Sequence, residues 1–324
     1  MGDQEEYIKQ LVQLKTGAFI WNPQGWVLGE DTFNLFKTMR VGISLTFLQF
    51  IPMFSFSSVT GLAFTNKILL FILFIFLSKR IEPRWIILFL LIPSLILYTS
   101  VSLRDAVVIF FSVFSIIYLI EKKLLLSFIF IALVFLTKIQ NGPGYLFLWV
   151  VLFVFQAEKS YSRIFFCLLL LAAGVIIFWD TLGPLLNIYR LAFAAEDGFG
   201  FRDVQALQIF SGFELILTSL KETLPFLLKP FPWQTSSPLQ LVVFLETVAL
   251  TVLFFVLFFR DKFYLNKTAL IVILGFLLSM ALHAITVSNL GTLARYRFIT
   301  FFPFLLGLFY LRELTIKGNH EVKV

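Results

Sequence analysis

The feature that most constrains this chain is its repeated long stretches with almost no charge. Leu124–Thr137, Leu239–Phe259 and Thr268–Val287 each run for several helical turns without a single Lys, Arg or Asp. A segment crossing a bilayer must satisfy its own backbone hydrogen bonds, and about 20 mostly apolar residues in a helix do so. With that ruler the sequence yields about ten segments: Val41–Ser58, Leu62–Ser78, Trp85–Ser100, Ala106–Ile120, Leu124–Thr137, Tyr145–Gln156, Ile164–Trp179, Leu239–Phe259, Thr268–Val287 and Ile299–Leu311. The expected fold is an all-α polytopic membrane protein with one long outward-facing helical loop. The fifth and sixth segments are short enough to read either as spans or as re-entrant half-helices.

Composition supports that class. Charged residues make up 14% of the 324, against about 25% in ordinary soluble domains, and 59% are hydrophobic. The 43 Phe residues are read as lipid-facing or packing side chains, with no catalytic meaning. One Cys and two His leave no disulfide framework and too few ligands for a structural zinc site, so neither metal nor cofactor is expected.

The expected organisation is a cytoplasmic or interfacial segment over 1–40, seven helices over 41–179, and an extracytoplasmic loop over 180–238. Three more helices over 239–311 and a cytoplasmic tail over 312–324 complete it. The acidic start, Met1 to Glu6, does not read as a cleavable signal. Position 6 lacks the Ser or Thr of a myristoylation pattern.

Lys and Arg in short loops set orientation. Sorted by loop, 17 of the 26 lie on the side of both termini, among them Arg80, Lys122, Lys123, Arg260, Lys262, Lys267 and Arg312. The other nine include Lys67, Arg104, Lys138, Arg190, Arg202, Lys229, Arg295 and Arg297. Both termini are therefore expected in the cytoplasm, with the chain in a bacterial inner membrane. The net charge of +7 is mainly this topology signal, and nucleic acid is excluded as a partner because no soluble basic surface exists.

Ionisable groups near the outer helix ends are expensive and point to function. Ser102-Leu103-Arg104-Asp105 reads two ways: as a capping box with Ser102 at the N-cap, or as an anion site at a helix start. Lys138, before Gly142-Pro143-Gly144, can either reach a phosphate or snorkel to the interface. The 180–238 stretch, with Arg190, Arg202 and an amphipathic run over 204–228, reads as a lid of one or two helices lying on the membrane over a cavity. Arg295-Tyr296-Arg297 places two forked cations on an outer helix start, where they can bind phosphate or snorkel to the surface. Glu246 and His283 are intramembrane ionisable residues; His283 is expected to line the same cavity, and Glu246 to be protonated or paired.

Several of these words form a wider pattern: Pro93-Ser94, Ser100 to Asp105, Lys229-Pro230-Phe231-Pro232-Trp233, Glu246, Asn289-Leu290-Gly291-Thr292 and Arg295-Tyr296-Arg297. The pattern resembles the multi-spanning proteins of bacterial surface-polysaccharide clusters, Wzy-like O-antigen polymerases and relatives of GT-C membrane glycosyltransferases. That resemblance implies an enzyme acting on polyprenyl-diphosphate-linked glycan at the outer face of the inner membrane, with a chain-length regulator or other synthesis proteins as partners. It implies Asp105, Arg295 and Arg297 as catalytic. Arg104, Lys138, Arg190, Arg202, Trp233 and His283 are expected to bind substrate. One departure stands out: the loop around Val59-Thr60-Gly61 has no acid where GT-C enzymes carry one, and Asp105 is the nearest. A lipid-glycan or acidic-solute transporter and a non-catalytic scaffold are the alternatives.

Overall fold

The computed structural model describes residues 59–101, 103–155, 159–196, 208–235, 237–287 and 290–321. The expected span Val41–Ser58, the N-terminal segment, Ser102 and Arg202 lie outside them. Within the described residues every regular element is helical: α1 Val59–Ser78, α2 Pro83–Leu90, α3 Pro93–Val101, α4 Leu103–Ile120, α5 Leu124–Thr137 and α6 Gly142–Trp149, which runs into a π turn at Val150–Val154. Then follow α7 Tyr161–Ile177, α8 Trp179–Glu196, α9 Gly212–Leu228, α10 Pro238–Arg260, α11 Lys267–Thr286 and α12 Leu290–Glu321.

Three helices are long and apolar enough to cross a membrane, within Pro238–Arg260, Lys267–Thr286 and Thr292–Ile316. Tyr161–Ile177 and Trp179–Ile188 form a fourth only as a pair bent by 80°. The apolar parts of α1, α4, α5 and α6 are shorter, 13 to 16 residues. The chain is thus a helical membrane protein, and its described helices differ from the even series of spans expected. The expected segment Trp85–Ser100 is two helices, because Pro93 has no N–H to continue α2 and instead sits at the first position of α3. The stretch from residue 180, expected as a helical loop of one or two helices, supplies α8 and α9 among the described residues.

Local chemistry accounts for the helix starts. Ser160, Ser211, Ser237 and Asn266 sit at N-caps, and their side chains accept from Ser162 N, Glu214 N, Gln240 N and Ala269 N respectively. At Ser211 the N3 carboxylate of Glu214 also reaches back, accepting from Phe210 N at 2.8 Å. At the opposite kind of end, Lys122 and Lys262 take left-handed conformations (φ 58° and 52°) that close the turns after α4 and α10.

The core is built around α4, α11 and α12. Helix α4 packs on α5 and α12, α11 lies between α9 and α12, and α10 is peripheral. Burial follows this order: 72% of the apolar window of α12 is inside the protein but only 17% of that of α10, whose apolar side chains are largely exposed. Phenylalanines serve both roles. Phe89 meets Phe302 and Phe309 edge-on at 5.2 and 5.4 Å in the core, whereas Phe255 and Phe259 are exposed. Where α6 crosses α11, a Cβ on Gly144 would fall 1.7 Å from Ser279 Oγ and 2.9 Å from the Gly275 carbonyl. Small residues here let two backbones touch, the usual way helices associate in lipid.

Charges segregate to two ends. At one, Arg80 bonds Glu121 (2.8 Å), Lys123 joins the same carboxylate (2.7 Å) and Arg312 pairs with Asp261 (3.0 Å). Burial pushes the Glu121 carboxyl up, but hydrogen bonds from Arg80 and Lys123 and their charges outweigh this and hold it below its usual range. At the other end lie Asp105, Lys138, Arg295 and Arg297.

Candidate functional site

The first turn of α4 presents Asp105 to the interior, where it is fully buried. A bare carboxylate there would be very costly, so it must meet cations or donors. It meets two cations: Arg295 Nε donates to Oδ2, and Lys138 Nζ donates to Oδ1 at 3.4 Å. Lys138 is the C-cap of α5 and is 2% exposed. Its ammonium also stands 3.6 Å over the ring of Tyr296, a desolvated cation–π contact. Residues separated by 190 positions thereby form one unit, Asp105–Lys138–Arg295, in which one carboxylate bonds two cations. Of the two expected readings of Lys138, interfacial snorkelling does not describe this side chain; it is buried.

His283, in the last turn of α11, completes the cluster. Its ring lies 5.2 Å from that of Tyr296 at 66° and 6.5 Å from that of Phe226. It is wholly buried, and neither ring nitrogen has a hydrogen-bond partner among the described residues. Asn141, three residues beyond Lys138 and also wholly buried, has both side-chain polar atoms in the same condition. Buried polar atoms are nearly always satisfied, so unpartnered atoms on both sides of Lys138 and Tyr296 are unusual for a core.

Arg297, one residue past Tyr296, works differently. Its Nη1 donates to the carbonyls of Phe226 (3.4 Å), Leu227 (3.3 Å) and Lys229, and Nη2 to Thr247 Oγ1 (2.5 Å). These carbonyls are the open end of α9, which a guanidinium satisfies and whose dipole it complements. The helix expected to lie on the membrane as a lid is therefore packed on α11 and fastened at its C-terminus to α12. Next to this anchor, Glu246 Oε2 accepts from Ser94 N at 2.9 Å, at the start of α3. Glu246, Ser94, Thr247 and Arg297 line one narrow cleft with Phe298 and Leu227.

The remaining expected residues fall outside this unit. Arg190, on α8, has Glu214 and Glu222 of α9 as its electrostatic neighbours. Trp233 is 79% exposed, its ring stacked 4.9 Å from Phe231 in the short turn after Lys229. Arg104 begins α4 one position before Asp105, and its side chain is outside the described residues, as is the N-cap role expected of Ser102. Tyr296 was not singled out by sequence reasoning; its position between two arginines was the available signal. Among the described residues no three His, Cys, Asp or Glu side chains come together as metal ligands.

Three pairs of sequence words thus meet in space: Ser94 with Glu246, Asp105 with Arg295, and Lys229 with Arg297. Chemically the cluster offers a carboxylate that bonds two cations, beside an imidazole whose nitrogens have no partner among the described residues. Compared with known proteins, the chain matches no family model, no curated protein and no solved structure.

Proposed function

We propose that the protein is a membrane-embedded glycosyltransferase that extends polyprenyl-diphosphate-linked glycan, a polysaccharide polymerase, with its site at the non-cytosolic helix ends of a bacterial inner membrane. The observation that carries the proposal is the buried Asp105–Lys138–Arg295 unit beside a His283 whose nitrogens lack partners. Transfer breaks the bond between the anomeric carbon and the diphosphate oxygen, forms one to the acceptor oxygen, and moves the acceptor proton to a base. The departing diphosphate needs fixed cationic donors in a dry site.

Roles follow from how each group is engaged. Arg295 is the cation of the unit that keeps some exposure, 21% of its side chain, and it faces the diphosphate. Asp105 orients Arg295 and Lys138; with each oxygen facing a cation it is a poor base. His283 takes the acceptor proton, because neither of its ring nitrogens has a hydrogen-bond partner among the described residues. Arg297 holds α9 in place over the site, and Trp233 offers a flat apolar face to a sugar ring.

The test is glycan length in cells carrying single substitutions. Arg295→Ala and His283→Ala should each abolish long-chain glycan while the protein inserts at normal levels. Unchanged chain length in both would refute the proposal. Reconstituted lipid-glycan flipping without any longer product would favour a transporter.

A further inference from the structure

A cavity of about 600 Å³, open to the surface, lies between the α10–α11 turn and the last turns of α12, at the opposite end of the bundle from Asp105. Lys262, Lys267 and Arg312 line it, with Asn266, Thr268 and Thr315 as polar neighbours. We propose that this cavity binds the phosphate of an acidic phospholipid headgroup in the leaflet bordering that end.

Charge is the first argument. The carboxylate in the wall, Asp261, is already bound by Arg260 (3.1 Å) and Arg312 (3.0 Å), and Glu313 stands 3.6 Å from Arg312. Among the described residues two acids thus face four cations, an excess of two positive charges. The Lys262 ammonium has no hydrogen bond or ion pair among the described residues, its bonds being those of its backbone. Lys267 has only neutral neighbours, the Lys159 carbonyl at 3.0 Å and the Tyr161 ring at 5.0 Å.

Helix geometry is the second. Helix α11 starts at the cavity wall, where Asn266 accepts from Ala269 N at 3.1 Å. The N–H groups of Lys267 and Thr268 remain donors at the positive end of the helix dipole.

Depth and surroundings choose a lipid over a soluble anion. The 20 residues of α11 span about 30 Å, the thickness of the hydrocarbon layer, which puts its first turn at headgroup level. Beside the exposed Arg260, Lys262 and Thr315, the cavity is bordered by the exposed apolar side chains of Phe259, Leu265, Leu314 and Ile316, a surface suited to acyl chains. A basic pocket between helix ends at this depth matches an anionic headgroup in charge and reach.

The test uses the purified full chain in phosphatidylcholine nanodiscs titrated with phosphatidylglycerol, with retained lipid read by native mass spectrometry. Lys262→Gly removes a charge where the backbone is already left-handed (φ 52°), so this variant should fold at least as well as the parent. Each of Lys262→Gly and Lys267→Ala should weaken retention of phosphatidylglycerol about fivefold, with Lys221→Ala, far away on α9, as an unchanged control. Equal retention of phosphatidylglycerol and phosphatidylcholine, or selectivity unaltered in the Lys262→Gly/Lys267→Ala double variant, would overturn the proposal. Displacement of phosphatidylglycerol by inorganic phosphate below millimolar concentration would assign the cavity to a soluble phosphate and overturn the lipid reading.

Discussion

Replacing Asp105 by Asn is the most informative single perturbation of the buried unit. Among the described residues both cations of the unit bond the one carboxylate, and Asp105→Asn removes its charge. Arg295, 21% exposed, can turn toward water, but Lys138 is 2% exposed and cannot. Breaking a buried pair so that a charge is left uncompensated costs about 3–5 kcal/mol. Lys138→Met removes the stranded cation at similar volume and keeps the Asp105–Arg295 pair. Its cost is the 3.4 Å contact and the Tyr296 cation–π contact, about 1–2 kcal/mol. In the double variant no ammonium is stranded, so its cost should fall about 2 kcal/mol or more below the sum of the single costs. Equilibrium unfolding of all four proteins in mixed micelles measures this directly. Additive costs, or an Asp105→Asn variant milder than Lys138→Met, would refute the view of the three side chains as one coupled, water-excluded unit.

Three further outcomes follow from particular contacts. Gly144→Ala should destabilise the α6–α11 crossing by about 1–3 kcal/mol, and Ser279→Ala should restore part of it, since Oγ is the nearest atom met but the Gly275 carbonyl remains; melting in detergent reads both. Arg297→Ala should raise amide exchange in the last turn of α9, around Phe226 to Lys229, while leaving α11 protected. Because Glu121 is held below its usual range, its contribution to stability is present above the unfolded carboxyl range and is lost as pH falls through its lower folded value. Glu121→Gln should flatten that acid limb of the stability profile.

What the sequence made legible, and what it hid, have physical causes. Helices α5 and α11 stand close to their expected limits because they are unbroken apolar runs between charges or turn residues. The last helix was read as Ile299–Leu311, yet α12 runs over Leu290–Glu321. Hydropathy counts Arg295 and Arg297 as exits from the membrane, and it cannot see that both are neutralised or bonded inside the fold. The same blindness ended the seventh segment at Trp179: Asp180, Gly183 and Pro184 mark a stop in sequence, but the chain bends by 80° and continues as helix. Loop parity placed Asp105, Lys138, His283, Arg295 and Arg297 at one end, which they share. The pairings themselves were invisible, since nothing local tells Arg295 to seek Asp105 and Arg297 to seek the end of α9. Arg190 shared the parity but belongs to the α8–α9 surface.

Docking of an anionic lipid headgroup on the Arg295 cluster is best tested by binding alone. Polyprenyl diphosphate and the matching polyprenol, each titrated into the purified chain in nanodiscs, isolate the contribution of the phosphates. The diphosphate should bind at least about tenfold more tightly than the alcohol, the scale of one or two charge-assisted hydrogen bonds. Arg295→Ala should erase that difference, while Lys262→Gly at the far end leaves it intact. Equal affinity for both lipids, or a preference that survives Arg295→Ala, would contradict a diphosphate site at Arg295.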